Sequence, residues 1–417
     1  MMPMMSKANF RANFSAGLIA DSHARLDSLL LGAIISLLGL GLIMVTSASI
    51  AIAHRNIGQA FYYTFHQSIS MAAGLIGAFF VCSMPIKIWY RLAAFMMLLG
   101  LGSLICVLIP GIGRVVNGSA RWINLGFTAI QVSEFCKLAV VIYLASYVVR
   151  HNQALKQTIW GFLRPMLLLS LVGALLVLEP DFGATVVILS TALCMLFLAG
   201  VPLRQFVVLL SMVGLVLGAV AVSAPYRLAR LTSFMDPWSV QYESGYQLTQ
   251  ALIAFGRGAW FGVGLGESVQ KLLYLPEAHT DFIFSVLAEE LGLVGALGTL
   301  ALYVLFVWRG MIVGLYAQKR QDRFAAFLCY GISFWIGLQT LINVGVNTGV
   351  LPTKGLTLPF LSYGGSSVLV VCIAAGLLVR VDYENRLLKN QLGKNQLGKN
   401  QLSKNQLTKN QETLLVS

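Results

Sequence analysis

Charge is what this chain has least of. Of its 417 residues, 29 are Lys or Arg and 16 are Asp or Glu, 11% together, against about 25% in an ordinary soluble domain. That deficit excludes water as the solvent for most of the surface and points to lipid. An oversized soluble core is excluded by run length, because stretches near 20 residues, enough to cross roughly 30 Å of hydrocarbon, recur along the chain. Cysteine is sparse too. Cys82, Cys106, Cys136, Cys194, Cys329 and Cys372 all fall in apolar stretches, none in C-x-x-C or another ligand spacing. The disulfide and zinc readings therefore both fail, and these residues read as small packing groups.

What the chain does have is ten apolar runs, near 28–50, 67–85, 92–110, 132–149, 160–178, 183–200, 206–224, 282–307, 324–346 and 364–380. They predict an all-α, polytopic integral membrane protein of about ten transmembrane helices. Residues 1–27 read as a cytoplasmic N-terminal tail and 28–381 as the membrane domain. Within that domain, 225–281 is a large extracytoplasmic loop between helices 7 and 8; residues 382–417 form a cytoplasmic, low-complexity basic tail. The first run is too long, and too far from the start, for a signal-peptide core, so it reads as a retained span. The tail repeats Lys-Asn-Gln-Leu-x from Lys389 with a period of five, which fits neither helix nor strand and builds no continuous apolar face.

The formal charge of +13 invites a nucleic-acid partner, but its placement excludes one. With both termini cytoplasmic, the inner segments hold 20 Lys and Arg and the outer segments eight, with Lys137 alone inside a span. Without the seven of the C-terminal tail the balance is still 13 against eight, the asymmetry of membrane topology. Acids run the other way: Glu179, Asp181, Asp236, Glu243, Glu267, Glu277 and Asp281 all lie in outer loops or at outer span ends. The long outer loop far exceeds an ordinary connection. Its Trp238, Tyr242, Tyr246, Trp260, Phe261 and Tyr274, with the glycine-rich stretch 256–266, predict an ordered loop lying on the membrane interface.

Charged groups in or at the rim of a bilayer cost about 2.5–3.5 kcal/mol each at its centre, so each needs a partner or a task. Asp281 stands where the long loop meets the eighth span. It reads as a first-turn acid facing the helix dipole, or as a general base at the water–lipid boundary, and the two are compatible. His279 beside it is too little for a metal site. Glu134 and Lys137, three apart, share a helix face. They read as a structural ion pair, or as a pair whose lysine contacts phosphate with Arg121 above it. Residues 347–367 hold two prolines and four glycines and read as a re-entrant, cavity-lining loop or as a plain connector. Glu289 and Glu290 should face the bundle interior about two turns inside the eighth span, and read either as packed against Lys137 or another basic group or as catalytic acids. Glu179-Pro180-Asp181 reads as a turn with satisfied acids.

VTSAS (45–49), GSARWI (118–123), the SEFCKL stretch, EPDFG (179–183), PEAHTDFIF (276–284), AEELG (288–292) and PTKGLTLPFLSYGGSS (352–367) together resemble the SEDS family of cell-wall proteins, and most closely its division-specific branch. Val132 departs from the proline usual before the Ser-Glu pair. The resemblance implies a ten-span fold and a peptidoglycan glycosyltransferase that polymerises lipid II, the undecaprenyl-linked disaccharide-pentapeptide, for septal wall synthesis. By motif matching the essential aspartate falls on Asp281 and the family's paired acid and base on Glu134 and Lys137. Arg121, His279, Lys354 and Ser362 are the further expected substrate contacts. A diphosphate leaving group needs no strong acid. It needs a base for the acceptor hydroxyl and positive charge for the departing diphosphate. No cofactor is firmly implied, although a divalent cation, Mg or Mn, could accompany the diphosphates. The implied partners are lipid II, the growing glycan strand, a class B penicillin-binding transpeptidase and other division proteins, at the septum of the bacterial inner membrane. A lipid II flippase is the alternative, and would need a polar route across the bilayer. A non-catalytic division scaffold is another, and leaves the rim acids without a role.

Overall fold

The computed structural model of the protein describes residues 26–116, 119–124, 129–222, 234–352 and 355–389. Each of the ten apolar runs falls on a helix: α1 (Ser28–Ile57), α2 (Tyr62–Ser83), α3 (Ile86–Leu108), α4 (Val132–Arg150), α6 (Ile159–Leu178), α7 (Phe182–Leu198), α8 (Leu203–Val222), α10 (Ile283–Lys319), α11 (Arg323–Asn347) and α12 (Gly365–Lys389). Two shorter helices, α5 (Asn152–Gln157) and α9 (Tyr246–Gly258), lie between them. Among the described residues eight helices are long and apolar enough to cross a membrane, and the chain is a multi-pass membrane protein.

Helix starts follow local chemistry. Thr158, Asp181 and Asp322 accept from the backbone N–H three residues on and so cap α6, α7 and α11, each filling one of the donors a helix leaves open. Depth in the bundle varies widely. In its apolar window α4 is 83% buried and α2 only 17%, so α4 is a central helix and α2 presents most of its surface to lipid.

Two features depart from a plain helical bundle. Between α3 and α4 lies an antiparallel sheet of β1 (Gly113–Val116), β2 (Ser119–Asn124) and β3 (Ala129–Gln131), with Trp122 opposite both Arg114 and Gln131. The strands are too short for an alternating pattern to show in sequence. The sheet runs directly into α4.

The second departure lies in the eighth apolar run, which is two helices and not one. Gly292 breaks α10 with φ 68° and ψ −169°, a conformation essentially reserved for glycine. The groups freed by the break are taken by the loop after α9. Leu293 and Val294 donate to the carbonyls of Ala259 and Trp260 at 2.9 and 3.1 Å; Val263 and Gly264 donate to Glu289 and Glu290 at 3.0 and 3.1 Å. Backbone at membrane depth thus stays satisfied within protein. The long loop is accordingly ordered along this stretch, with Trp260 and Phe261 exposed at its tip.

Residues 29–381 form one compact unit. The flanking residues 26–28 and 382–389 belong to another, in which the Asp27 N–H and Arg386 Nε donate to Asp382 at 2.9 and 2.8 Å.

Candidate active site

Asp281 stands two residues before α10, half-buried. Its carbonyl accepts from the side-chain amides of Asn343 and Asn347 of α11, each at 3.0 Å. Its carboxylate faces Gly355, where a Cβ would stand 3.0 Å from Oδ2. The residues before it are pinned to the following loop: Ser362 Oγ donates to the Thr280 carbonyl at 2.6 Å and accepts from Leu358 N–H at 2.7 Å, and Tyr363 N–H donates to the His279 carbonyl at 2.9 Å. Ser362, expected to touch substrate, therefore has its hydroxyl committed on both sides. His279 packs against the rings of Tyr63 and Tyr363, with centroids 4.8 and 5.6 Å away. Burial lowers its pKa against the pull of Glu277, which keeps the imidazole neutral. Burial, with Tyr62 and Tyr63 nearby, pushes the Tyr363 phenol up to about 12.

Lys137 and Glu134 pair as expected, at 2.7 Å and almost wholly buried. Lys137 also donates to Gln339 Oε1 at 2.8 Å and lies 5.3 Å from the centre of the Trp335 ring. Gln339 in turn donates to the Thr357 carbonyl at 2.8 Å, and Asn343 to that of Leu356 at 2.5 Å. Gln339, Asn343 and Asn347 thus form a ladder of three amides at spacing four on one face of α11. It ties Lys137 at one end and Asp281 at the other to the same irregular stretch, about 12 Å apart along the helix axis at 1.5 Å per residue. The described residues of the 347–367 segment are hydrogen-bonded into the bundle at Leu356, Thr357, Ser362 and Tyr363 and bury Leu358, Phe360 and Leu361, so this stretch is not a plain exposed connector. Lys354 lies outside the described residues.

Arg121, carried on β2, donates to the carbonyls of Glu179 and Pro180 and so holds the turn between α6 and α7. Asp181 is satisfied by Ser133 Oγ at 2.8 Å and by the Ala184 N–H at 3.2 Å. Glu179 corrects the expectation of satisfied acids. It is fully buried, and neither carboxyl oxygen has a hydrogen-bond partner. Burial first, then Asp181, raise its pKa to about 8 against Arg121, so it is mostly protonated at neutral pH. Glu134 Oε2 is likewise buried without a partner.

Glu289 and Glu290 do not meet Lys137. Glu289 accepts from Ser268 Oγ, from the N–H groups of Val269 and Gln270 at 3.1 and 3.3 Å, and from Arg257 at 3.4 Å. Glu290 accepts from Lys271 at 2.7 Å and from Ser47 at 2.6 Å. The reason is the break at Gly292, which brings the loop after α9 against this end of the short helix. Among the described residues no group of three His, Cys, Asp or Glu side chains is placed to hold a metal ion, so the side chains described do not assemble a cage for a divalent cation.

Residues 28–387 match the model of the Cell cycle protein family of FtsW, RodA and SpoVE. The chain belongs to that family. Among its relatives, a Legionella pneumophila protein named "Probable peptidoglycan glycosyltransferase FtsW" is 53% identical over 360 residues, 86% of this chain and 91% of its own. A Nitrosococcus halophilus protein of the same name is 53% identical over 371 residues, 89% and 96% of the two chains. Family members of known structure share the fold. One, from a study described as "Structural coordination of polymerization and crosslinking by a peptidoglycan synthase complex", has a TM-score of 0.70 at 29% identity, covering 86% of this chain and 98% of that one. The Rod shape determining protein RodA of Thermus thermophilus has a TM-score of 0.64 at 27% identity, covering 87% and 98%.

Against this family background, the SEDS motifs divide by task. PEAHTDFIF and the described part of the 352–367 loop build the Asp281 end, and EPDFG forms the turn held by Arg121 and Ser133. VTSAS supplies Ser47, and AEELG supplies the Glu289–Glu290 staple. Reading of the charged residues alone passed over the amide ladder. Its signal was present, as three carboxamides four residues apart, two within an apolar run and the third just past its end.

Proposed function

We propose that the protein is a peptidoglycan glycosyltransferase that polymerises lipid II during septal wall synthesis, with Asp281 as the general base. The observation that carries this reading is the α11 ladder, which holds the backbone of the acid Asp281 and a buried lysine along one irregular loop. Asp281 takes the proton of the GlcNAc 4-hydroxyl as that oxygen attacks the anomeric carbon of the growing strand. The bond from that carbon to the diphosphate breaks, its electron pair leaves with undecaprenyl diphosphate, and the carbon inverts. Lys137 supplies positive charge to the departing group, and Arg121 and, by its place in the PTKGLTLPF motif, Lys354 are the further cations this reading assigns to the diphosphates. Glu134 holds Lys137 in place.

The relatives' names and the synthase-complex structure support this activity, and a single-span penicillin-binding transpeptidase as partner. In this reading ten helices span the bacterial inner membrane with both termini cytoplasmic, and Asp281 lies at the outer face. A transporter reading is disfavoured by what lies inward of Lys137. The narrow crevice there is lined by Val140, Val141, Val187, Ile188, Thr191 and Trp335, mostly apolar where a head group would have to pass. The test is lipid II polymerisation by the purified complex. Asp281→Asn should lower the rate by at least about 100-fold, and an undiminished rate ends the proposal.

A further inference from the structure

The first turn of α10 is closed by its own backbone only through the shorter bond from Ser285 to Phe282. In a regular helix the Ser285 N–H would donate to the carbonyl four residues back, that of Asp281. Here the Ser285 N–H is directed at Asn347 Oδ1, at 3.2 Å, and at the Phe282 carbonyl, at 3.1 Å. The Asp281 carbonyl accepts instead from Asn347 Nδ2 at 3.0 Å, and from Asn343 Nδ2 at the same distance. A single carboxamide from the neighbouring helix therefore takes both halves of the missing bond. Its oxygen receives the Ser285 donor, and its NH2 fills the Asp281 acceptor.

The amide is itself held by two further bonds. Ser285 Oγ donates to Asn347 Oδ1 at 2.7 Å, and Asn347 Nδ2 reaches the Asn343 carbonyl at 2.9 Å. Asn347 is fully buried and Asn343 nearly so, where an unpaired amide would be costly. Insertion of a side chain into the hydrogen-bond ladder is a recognised way to distort a helix. Here the distortion sits at the residue that bears the reacting carboxylate.

We infer that Asn347, braced by Asn343 and Ser285, is a positioning residue for Asp281: by standing in for a peptide hydrogen bond it stops α10 short and fixes the direction in which the Asp281 side chain leaves the backbone. Were the turn to close, Asp281 would join the helix, where each residue is rotated by about 100° from the last. Its carboxylate would then swing away from Gly355. The inference rests on the reading of Asp281 as base.

The experiment compares lipid II polymerisation by the full-length protein in complex with its transpeptidase partner, for wild type, Asn347→Ala, Ser285→Ala and Thr340→Ala. Thr340 lies on the same helix, and among the described residues its hydroxyl bonds within that helix, to the Ile336 carbonyl. Asn347→Ala should lower kcat on the order of 100-fold, the usual cost of a misplacement near 1 Å, with KM for lipid II within about threefold and the unfolding temperature close to that of Thr340→Ala. Ser285→Ala leaves both amide bonds to Asp281 and removes only a brace, so kcat should fall about three- to tenfold at unchanged KM. The double variant should be no slower than Asn347→Ala alone, because the two act as one unit. A kcat for Ser285→Ala equal to wild type overturns the inference. So does a kcat and KM for Asn347→Ala that change only in step with lost folded protein. If Asp281→Asn keeps its rate, the reading beneath has failed; if it loses its rate while Asn347→Ala keeps kcat, only the positioning role is wrong.

Discussion

Two buried sets of acids and bases in this bundle contrast in one respect, the number of polar atoms left over. Around Glu289 and Glu290 every carboxylate oxygen has a partner, from Lys271, Arg257, Ser47, Ser268 and two backbone N–H groups. Elsewhere the acids are open: Glu134 Oε2, beside Lys137, and both oxygens of Glu179, in the turn that Arg121 holds, are buried without partners. A closed set has no capacity left for a substrate. It acts as a staple that seals the break at Gly292 with the loop after α9. An open set, beside the ladder that also holds Asp281, keeps polar capacity where chemistry is proposed. Buried charge by itself does not mark a site, because ion pairs serve structure equally well. The unfilled valence separates the two.

The sharpest way to break this contrast is Lys271→Met. It leaves Glu290 buried and uncompensated, which should cost about 3–5 kcal/mol of stability. A lowered unfolding temperature and reduced recovery of folded protein should result, with any surviving folded fraction still polymerising. A folded, fully stable but inactive variant would move the staple into the active site. Next in size is Lys137→Met, where polymerisation should fall about 100- to 1,000-fold from loss of charge at the departing diphosphate. A rate that drops only in proportion to folded protein would make Lys137 a second staple.

Glu179 gives a smaller, pH-dependent effect. Its pKa stands at about 8 in the fold against an ordinary 4.5, so over that interval the folded state keeps a proton that the unfolded chain gives up. Wild-type stability should therefore fall as pH rises from about 4.5 to about 8, then level off. Glu179→Gln lacks this slope, so its unfolding temperature should gain on wild type through the same window and stay ahead above it. Parallel curves would show that Glu179 finds a partner after all. Smallest is Gly355→Ala, whose methyl would press on Asp281 Oδ2. Polymerisation should fall about tenfold with stability unchanged, a barrier change near 1.4 kcal/mol. An unaltered rate would mean that the carboxylate works from another orientation.

The sequence by itself determined the solvent and the scaffold. Ten apolar runs separated by charged or irregular segments leave a chain no choice but helices in lipid, because backbone polar groups there must be satisfied internally. It also named Asp281, Glu134 and Lys137, since charges at membrane depth are too expensive to be incidental. The Glu134–Lys137 contact was legible for a simple reason: residues three apart on a helix must meet.

What only the tertiary structure decided was every pairing between distant segments. That Glu290 meets Lys271 and Ser47, and not Lys137, follows from a break at Gly292 whose φ no hydrophobic pattern announces. That Glu179 is buried with nothing to bond to depends on how β2 and α4 close over the turn after α6. The ladder of Gln339, Asn343 and Asn347 joins a helix to a loop and to the start of another helix. Such long-range hydrogen bonds depend on where side chains come to rest once the helices pack, and local sequence carries no term for that.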